Sequence, residues 1–278
     1  MHLDQSYADQ LRTVLETRMS QLGPRLVNDA LYDDPISTVY PYPDPQDQEI
    51  AAFVASCLSY GQRKVFVPLI RQLLRDMGPS PYQFVMNDDL DRSRFDWFSY
   101  RFNSPDDIRC LVYSLRHVIR RYGSLEDAFV RGWGENNDLR SCLGVFVGLL
   151  RSVDFSPVVS TSEGTKGFRY LVPDPAKGSA CKRLNMFLRW MLRSDNIDLG
   201  LWTGVPVSSL VIPLDTHITK AGALLGLTSR KDCSWKTAVD ITHSLAQLDG
   251  KDPLKYDFLL FALGAWRELQ SLSHVSSS

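Results

Sequence analysis

Two charged side chains set the chemical question. Asp215 stands in Ile212-Pro213-Leu214-Asp215-Thr216-His217, which continues as Ile218-Thr219-Lys220-Ala221-Gly222-Ala223-Leu224-Leu225-Gly226-Leu227. Pro213 keeps residue 212 out of the helical region. Ile218, Ala221 and Leu225 then recur at helical spacing, and Gly226 falls where a C-terminal cap belongs. Asp215 therefore reads as an N-cap whose carboxylate accepts the free N–H groups of the first turn. Held there, at the positive end of a helix, an acid stays ionised at neutral pH. Taken by itself, an Asp before a helix is most often a cap and nothing more.

The second side chain is Lys182, in Ser179-Ala180-Cys181-Lys182-Arg183-Leu184-Asn185-Met186-Phe187-Leu188-Arg189-Trp190-Met191-Leu192-Arg193. On a helical wheel Ala180, Leu184, Phe187, Leu188 and Met191 form the core stripe, while Lys182, Met186, Arg189 and Arg193 share the opposite side. Lys182 thus stands outside the core of its own helix. It lies near the N-terminus, where a cation is electrostatically unfavourable. The plain reading is a solvated surface lysine.

The wording around these residues adds to that reading. Leu214-Asp215-Thr216-His217, followed by a helix ending Leu224-Leu225-Gly226-Leu227, resembles the "VDTHV…RLGL" segment of the helix–hairpin–helix (HhH-GPD) DNA glycosylase superfamily. Acid, Thr, His and Leu-Gly-Leu all fall at the family's offsets, and Lys220 stands about where members often carry an Arg. The resemblance implies that Asp215 is catalytic. It also implies that a lysine near the N-terminus of the preceding helix, here Lys182, attacks C1′ of a damaged nucleoside. Breaking an N-glycosidic bond builds positive charge on the sugar, which a carboxylate stabilises. A deprotonated amine traps C1′ and goes on to a Schiff base.

Departures from the family pattern are visible too. The usual Leu-Pro-Gly-Val-Gly hairpin signature is absent, and Pro173 through Gly178 must replace it. Lys182 and Asp215 are also further apart in sequence than in most members. That spacing is similar to the archaeal 8-oxoguanine DNA glycosylase branch, whose hairpin is also atypical. The wording "GSACKRLNMFLRWM…DLGLW…PLDTH" resembles an uncharacterised bacterial family distantly related to those enzymes, over most of the chain. The archaeal branch uses an acid and an aromatic on its last helix to hold the base, which carries over to Asp257. Leu58-Ser59-Tyr60-Gly61-Gln62 resembles the "LSxQ" helix end with its register off by one, so Gln62 is the candidate to fill the duplex gap. Trp190 and Trp202 are candidates to stack on a flipped base, against the commoner fate of a core Trp. Arg183, Arg189, Arg193, Lys177 and His217 complete the expected DNA-binding set.

Composition bounds the alternatives. The chain has 278 residues, 44% hydrophobic and 23% charged, as in an ordinary globular protein able to bury one large or two modest cores. No apolar run reaches the roughly 18 residues a membrane helix needs, and Met1-His2-Leu3-Asp4-Gln5 lacks a signal pattern. A cytoplasmic, nucleoid-associated monomer is expected. Five scattered cysteines form no metal spacing and read as free thiols, so neither metal nor cofactor is expected. The net charge of −1 argues against a broadly basic nucleic-acid coat. From Glu163 to Arg193, however, seven bases face two acids, enough for a few phosphate contacts.

Around the two residues the periodicity predicts an all-α protein. A first helix spans 4–31 and is interrupted at Gly23-Pro24; the proline-rich Asp33–Gln46 stretch is a fixed crossover. Further helices are read over 47 to about 60, 65–77, about 106 to 122, from 124 onward, 139–153 and through 179–193. Residues 154–178 read as one long irregular stretch, and 194–202 as a loop plus a short helix. A final helix runs over Pro253–Trp266, capped by Asp252 with Pro at N1. Sustained period-2 alternation is missing, so strands should be few or absent.

The resemblance implies two lobes with a catalytic cleft between them. Residues 47–195 form a helical barrel carrying the lysine helix. Residues 1–46 pack with a C-terminal lobe, 196–278, that carries the acid. The implied activity is removal of a damaged or modified base, such as 8-oxoguanine, from duplex DNA, with apurinic-site lyase chemistry. Two alternatives stand beside it: a related-fold enzyme transferring amines to thymine derivatives in DNA, and a non-catalytic DNA-binding protein.

Overall fold

The computed structural model describes residues 3–91, 93–133, 138–270 and 272. Met1 and His2, part of the N-terminal reading above, lie outside the described residues. The chain is all-α: twelve helices and three short 3₁₀ turns are described, and no strand occurs among the described residues. It divides into two compact units. One comprises Met1–Tyr32, Lys177–Gly200 and Pro206–Ser278; the other comprises Asp33–Ala176 and Leu201–Val205. Residues 177–195, with the lysine helix, cluster with the first and last parts of the chain, whereas the sequence reading placed them in the 47–195 barrel.

Helix α1 (Gln5–Tyr32) buries Leu11, Leu15 and Leu26 and runs straight through Pro24. The expected interruption does not occur. Ser20 and Pro24 are both exposed, so the carbonyl that Pro24 leaves without a donor faces water. Within the same unit α1 is tied to the C-terminal part. Tyr7 Oη donates to the Leu225 carbonyl at 3.0 Å, and Glu16 accepts from Lys255 at 2.5 Å and Tyr256 at 2.8 Å.

The second unit begins with a 3₁₀ turn at Pro35–Thr38, capped by Asp34. Helix α2 (Pro45–Leu58) starts two residues before the expected 47, because Asp44 caps it and Pro45 takes the first position. Helices α3 (Arg63–Asp76) and α4 (Pro81–Asn87) follow. The sequence reading places no helix over α4, but Ser80 caps it and Pro81 starts it. Helix α5 (Pro105–Tyr122) opens with Asp107 accepting from the Ser104 N–H at 2.7 Å, the capping-box arrangement. Then come α6 (Leu125–Val130), α7 (Leu139–Arg151) and α8 (Lys166–Leu171). The 154–178 stretch is therefore not wholly irregular: Thr165 caps α8 within it, and a 3₁₀ turn occupies Pro175–Lys177. The core of this unit joins Phe53, Phe129 and Phe146, edge to face at 5.8 Å.

The first unit resumes with α9 (Lys182–Leu192), α10 (Thr216–Leu224), α11 (Trp235–Ala246) and α12 (Asp257–Ala265). Helix α11 went unread in the sequence, although Ser234 is its N-cap. Residues 194–202 hold no helix; Ser194 and Leu199 form an isolated bridge instead. The last helix begins at Asp257 rather than Pro253, with residues 253–256 in turns. Asp252 caps that turn through the Leu254 N–H at 3.1 Å. Helices α10 and α12 are the most extensively paired in the molecule. No helix among the described residues is long and apolar enough to cross a membrane.

Candidate functional site

Asp215 is the N-cap of α10, as its sequence context requires. Its Oδ1 accepts from the backbone N–H groups of His217 at 2.8 Å and Ile218 at 3.0 Å. Oδ2 is left for another donor, and Lys182 Nζ supplies it at 2.6 Å. Lys182 is the first residue of α9, directly after Cys181, whose φ of 48° is left-handed. A non-glycine residue in that region stores about 1 kcal/mol or more of strain. Asn185 steadies this entry by donating to the Ala180 carbonyl at 2.9 Å. The amine and the carboxylate thus meet at the leading ends of two helices of one unit, 33 residues apart in sequence.

The pair is only partly covered, with side-chain exposure of 32% for Lys182 and 17% for Asp215. Burial pushes the Asp215 carboxyl up, but the Lys182 ammonium and the Ile218 N–H outweigh it and hold the group below the usual carboxylate range. Phe261 of α12 places its ring centroid 5.2 Å from Lys182 Nζ, a cation–π contact. His217 meets the same ring edge-on at 5.8 Å. Gly264 lies against His217 so closely that a Cβ there would stand 2.7 Å from the His217 Cβ. Amine, carboxylate, imidazole and aromatic ring form one cluster within the first unit.

Behind this cluster lies a buried ion network. Arg189 bonds Asp198 at 3.2 Å and Asp257 at 2.5 Å. Arg193 pairs with Asp198, with Asp252 at 2.9 Å and with Asp195 at 3.1 Å. Burial raises the Asp198 carboxyl to about 6 against the pull of the two guanidiniums. Burial also raises Asp257, opposed by Arg189 and reinforced slightly by the charge of Asp215. Arg189 and Arg193 are therefore not phosphate ligands in waiting, and Asp257 does not stand free to meet a base. On the wheel both arginines shared the polar side with Lys182; the structure covers that side and supplies it with acids.

The remaining candidates separate. Trp190 is wholly buried, and its Nε1 has no hydrogen-bond partner among the described residues. Trp202 belongs to the second unit, buried against Phe129 with Nε1 donating to Glu49 at 2.7 Å. Neither indole is available to stack on a base. Gln62 also lies in the second unit, exposed at the N-cap of α3 and making no cap bond with its side chain. Arg183 is half-buried and Lys177 is exposed. Of the basic 163–193 stretch, Lys166 is exposed and Arg169 reaches Glu163 at 3.4 Å.

Sequence reasoning missed three features. Phe261 was hidden in a helix apolar all round, and Asp198 in an apparent surface insertion. A third lies in the second unit, where exposed Tyr170 (42%) meets Tyr60 at 5.2 Å and exposed Phe102 (67%) at 5.5 Å, edge to face in both cases. The Arg101 guanidinium stands 5.8 Å from Phe102 and 5.9 Å from Tyr60. The run Tyr100-Arg101-Phe102 was its sequence signal.

No group of His, Cys, Asp or Glu able to hold a metal ion occurs among the described residues, and the five cysteines are free thiols. The chain belongs to a family described as "Protein of unknown function (DUF2400)", whose model matches residues 34–266 and so takes in both Lys182 and Asp215. No curated protein and no solved structure matches the chain.

Proposed function

We propose that this protein is a DNA base-excision glycosylase of the HhH-GPD kind, with lyase activity, that uses Lys182 as nucleophile and Asp215 as its electrostatic and acid–base partner. The reading is supported above all by the 2.6 Å contact between Lys182 Nζ and the one Asp215 oxygen not engaged in capping. A carboxylate fixed by two backbone N–H groups is preorganised for a positive charge developing nearby. At rest that charge is the ammonium. During reaction it is the sugar, as the C1′–N bond lengthens and the base leaves with the bonding pair.

The sequence of steps follows from the residues present. A nucleotide entering the partly covered site excludes water, which weakens the case for a separated ion pair and favours proton transfer from amine to carboxylate. The free amine then bonds C1′, and the departing base takes up the proton. Ring opening gives a Schiff base, and loss of a C2′ proton expels the 3′ phosphate. The exposed rings of Phe102 and Tyr170, with the Arg101 guanidinium, offer a surface of the type on which unpaired bases stack. The glycosylase-like arrangement of two lobes belongs to this proposal.

The test uses the full chain and a panel of duplexes that includes 8-oxoguanine and other modified bases. Borohydride should trap a covalent adduct with the wild type and none with Lys182→Gln. Asn caps a helix about as well as Asp, so Asp215→Asn should melt near the wild-type temperature. Its excision rate should nevertheless fall by at least about a hundredfold. Excision by Asp215→Asn at the wild-type rate would overturn the mechanism.

A further inference from the structure

The second unit holds a cavity of about 550 Å³ that the chemistry above does not use. Its size is in the range of small-molecule sites, roughly 300–1,000 Å³. One wall is the C-terminal half of α5, where Tyr113, His117, Arg120 and Arg121 recur at helical spacing. Tyr122 continues that wall, and the end of α7 with the loop after it, including Leu149, Val153 and Pro157, closes the other side.

Two basic residues in the last turn of a helix are ordinarily explained by the helix dipole. Here three further observations go beyond that. First, Arg120 and Arg121 line a cavity, and neither pairs with a carboxylate among the described residues. Arg120 donates to the Met86 carbonyl at 2.9 Å, and Arg121 stands 5.4 Å from the Tyr122 ring. A third guanidinium, Arg131, lies 5.1 Å from the centroid of the same ring. Second, Asp154 is the one acid on the lining, and it is turned toward its own loop, accepting from the Ser156 N–H at 3.0 Å. Third, the rings of Tyr113 and His117 meet at 4.2 Å, tilted by 56°, and the His117 Nδ1 is held by the Tyr113 carbonyl at 2.9 Å. Nε2 remains for a ligand.

We infer that this cavity binds a nucleotide: the phosphate on Arg120 and Arg121, and the planar base among Tyr113, His117, Tyr122 and the aliphatic wall. Guanidiniums recognise phosphate through paired N–H donors. Flat rings recognise a base through its face, with little regard to which base it is. The inference does not rest on the glycosylase reading, because none of these residues belongs to the Lys182–Asp215 cluster.

Calorimetric titration of the full chain tests it, with adenosine 5′-monophosphate, adenosine, inorganic phosphate and a 5′-phosphorylated single-stranded oligonucleotide as probes. The monophosphate should bind at least about tenfold tighter than either adenosine or phosphate alone, since each half supplies its own contacts. Arg120→Gln with Arg121→Gln should weaken it by at least about tenfold, the size of a lost charge-assisted hydrogen bond. Both side chains are exposed, so this variant should keep its fold. Lys182→Gln should bind the monophosphate as the wild type does. Oligonucleotide binding that weakens with the double variant assigns the site to a strand terminus; oligonucleotide indifferent to it assigns the site to free nucleotides. Phosphate binding as tightly as the monophosphate, or the double variant binding as the wild type, would overturn the inference.

Discussion

Helix α9 carries two charge clusters that differ in almost every respect. At its first residue, Lys182 meets a single acid, and the pair keeps partial contact with solvent. Two and three turns further on, Arg189 and Arg193 sit at 5% and 8% side-chain exposure among Asp195, Asp198, Asp252 and Asp257. The buried cluster is saturated. Its guanidiniums have several acceptors each, and its acids come from the segment after α9 and from both ends of the turn that leads into α12. Such a network fixes how the segments join and leaves nothing to offer a substrate. The Lys182–Asp215 pair is the reverse: one bond, one free face and a carboxylate whose second oxygen is already immobilised. The contrast teaches that charge density does not mark a site open to a ligand; an ion pair with a free face does.

The comparison can be broken most forcefully at Arg189. Replacing it by Met leaves Asp257 buried without its countercharge, and urea unfolding should show a loss of about 3–5 kcal/mol. Lys182→Met, at the partly exposed pair, should lose no more than about 1 kcal/mol. Equal losses would erase the distinction between the two clusters.

The pH dependence sharpens it further, because Asp198 and Asp215 are shifted in opposite senses. Asp198 is raised from 3.8 to about 6 when folded, so the native state holds its proton more tightly than the unfolded chain. Its contribution is fully present below about pH 4 and is lost as pH rises through 6, a span worth of order 3 kcal/mol. Asp198→Asn should reduce that falling slope in the stability profile between pH 4 and 6, leaving the part due to Asp257. Asp215 is lowered when folded, so its contribution is present above 3.8 and is lost as pH falls below it. Asp215→Asn should flatten only the acid limb. Unfolding midpoints measured from pH 3 to pH 7 separate the two, and matching slopes would contradict the assignment.

The smallest effect concerns the cap alone. Asp215→Ala should be about 1 kcal/mol less stable than Asp215→Asn, since alanine leaves the His217 and Ile218 N–H groups without an acceptor. Thermal melts of the two variants measure that difference directly.

How much of this was legible follows from where the information lies. The Asp215 cap was readable because acid, helix and terminal glycine are contiguous, and Gly226 indeed takes a φ of 59°. The all-α class was readable from periodicity. Helix starts were misjudged by two to four residues where Asp and Pro stand together, at Asp44-Pro45 and Asp252-Pro253, because either residue can open a turn or a helix. The fate of the charged face of α9 was not legible. A helical wheel assigns Arg189 and Arg193 to one side but says nothing of what covers it, and their acids arrive from as far as 68 residues away. Trp202 was misassigned for the same reason: its partner Glu49 lies 153 residues earlier.

Gly264 has a consequence for the Lys182–Asp215 pair that it never touches. The bare backbone of α12 at this position lets α10 settle at its closest approach, with His217 as the point of contact. The seating depth of α10 in turn decides where its first turn, and with it the anion at 215, comes to rest. One methyl group at 264 would act as a shim, tipping that turn outward without altering any polar atom. The reach between amine and acid is thus set remotely, by the thickness of a helix that contributes no hydrogen bond to either.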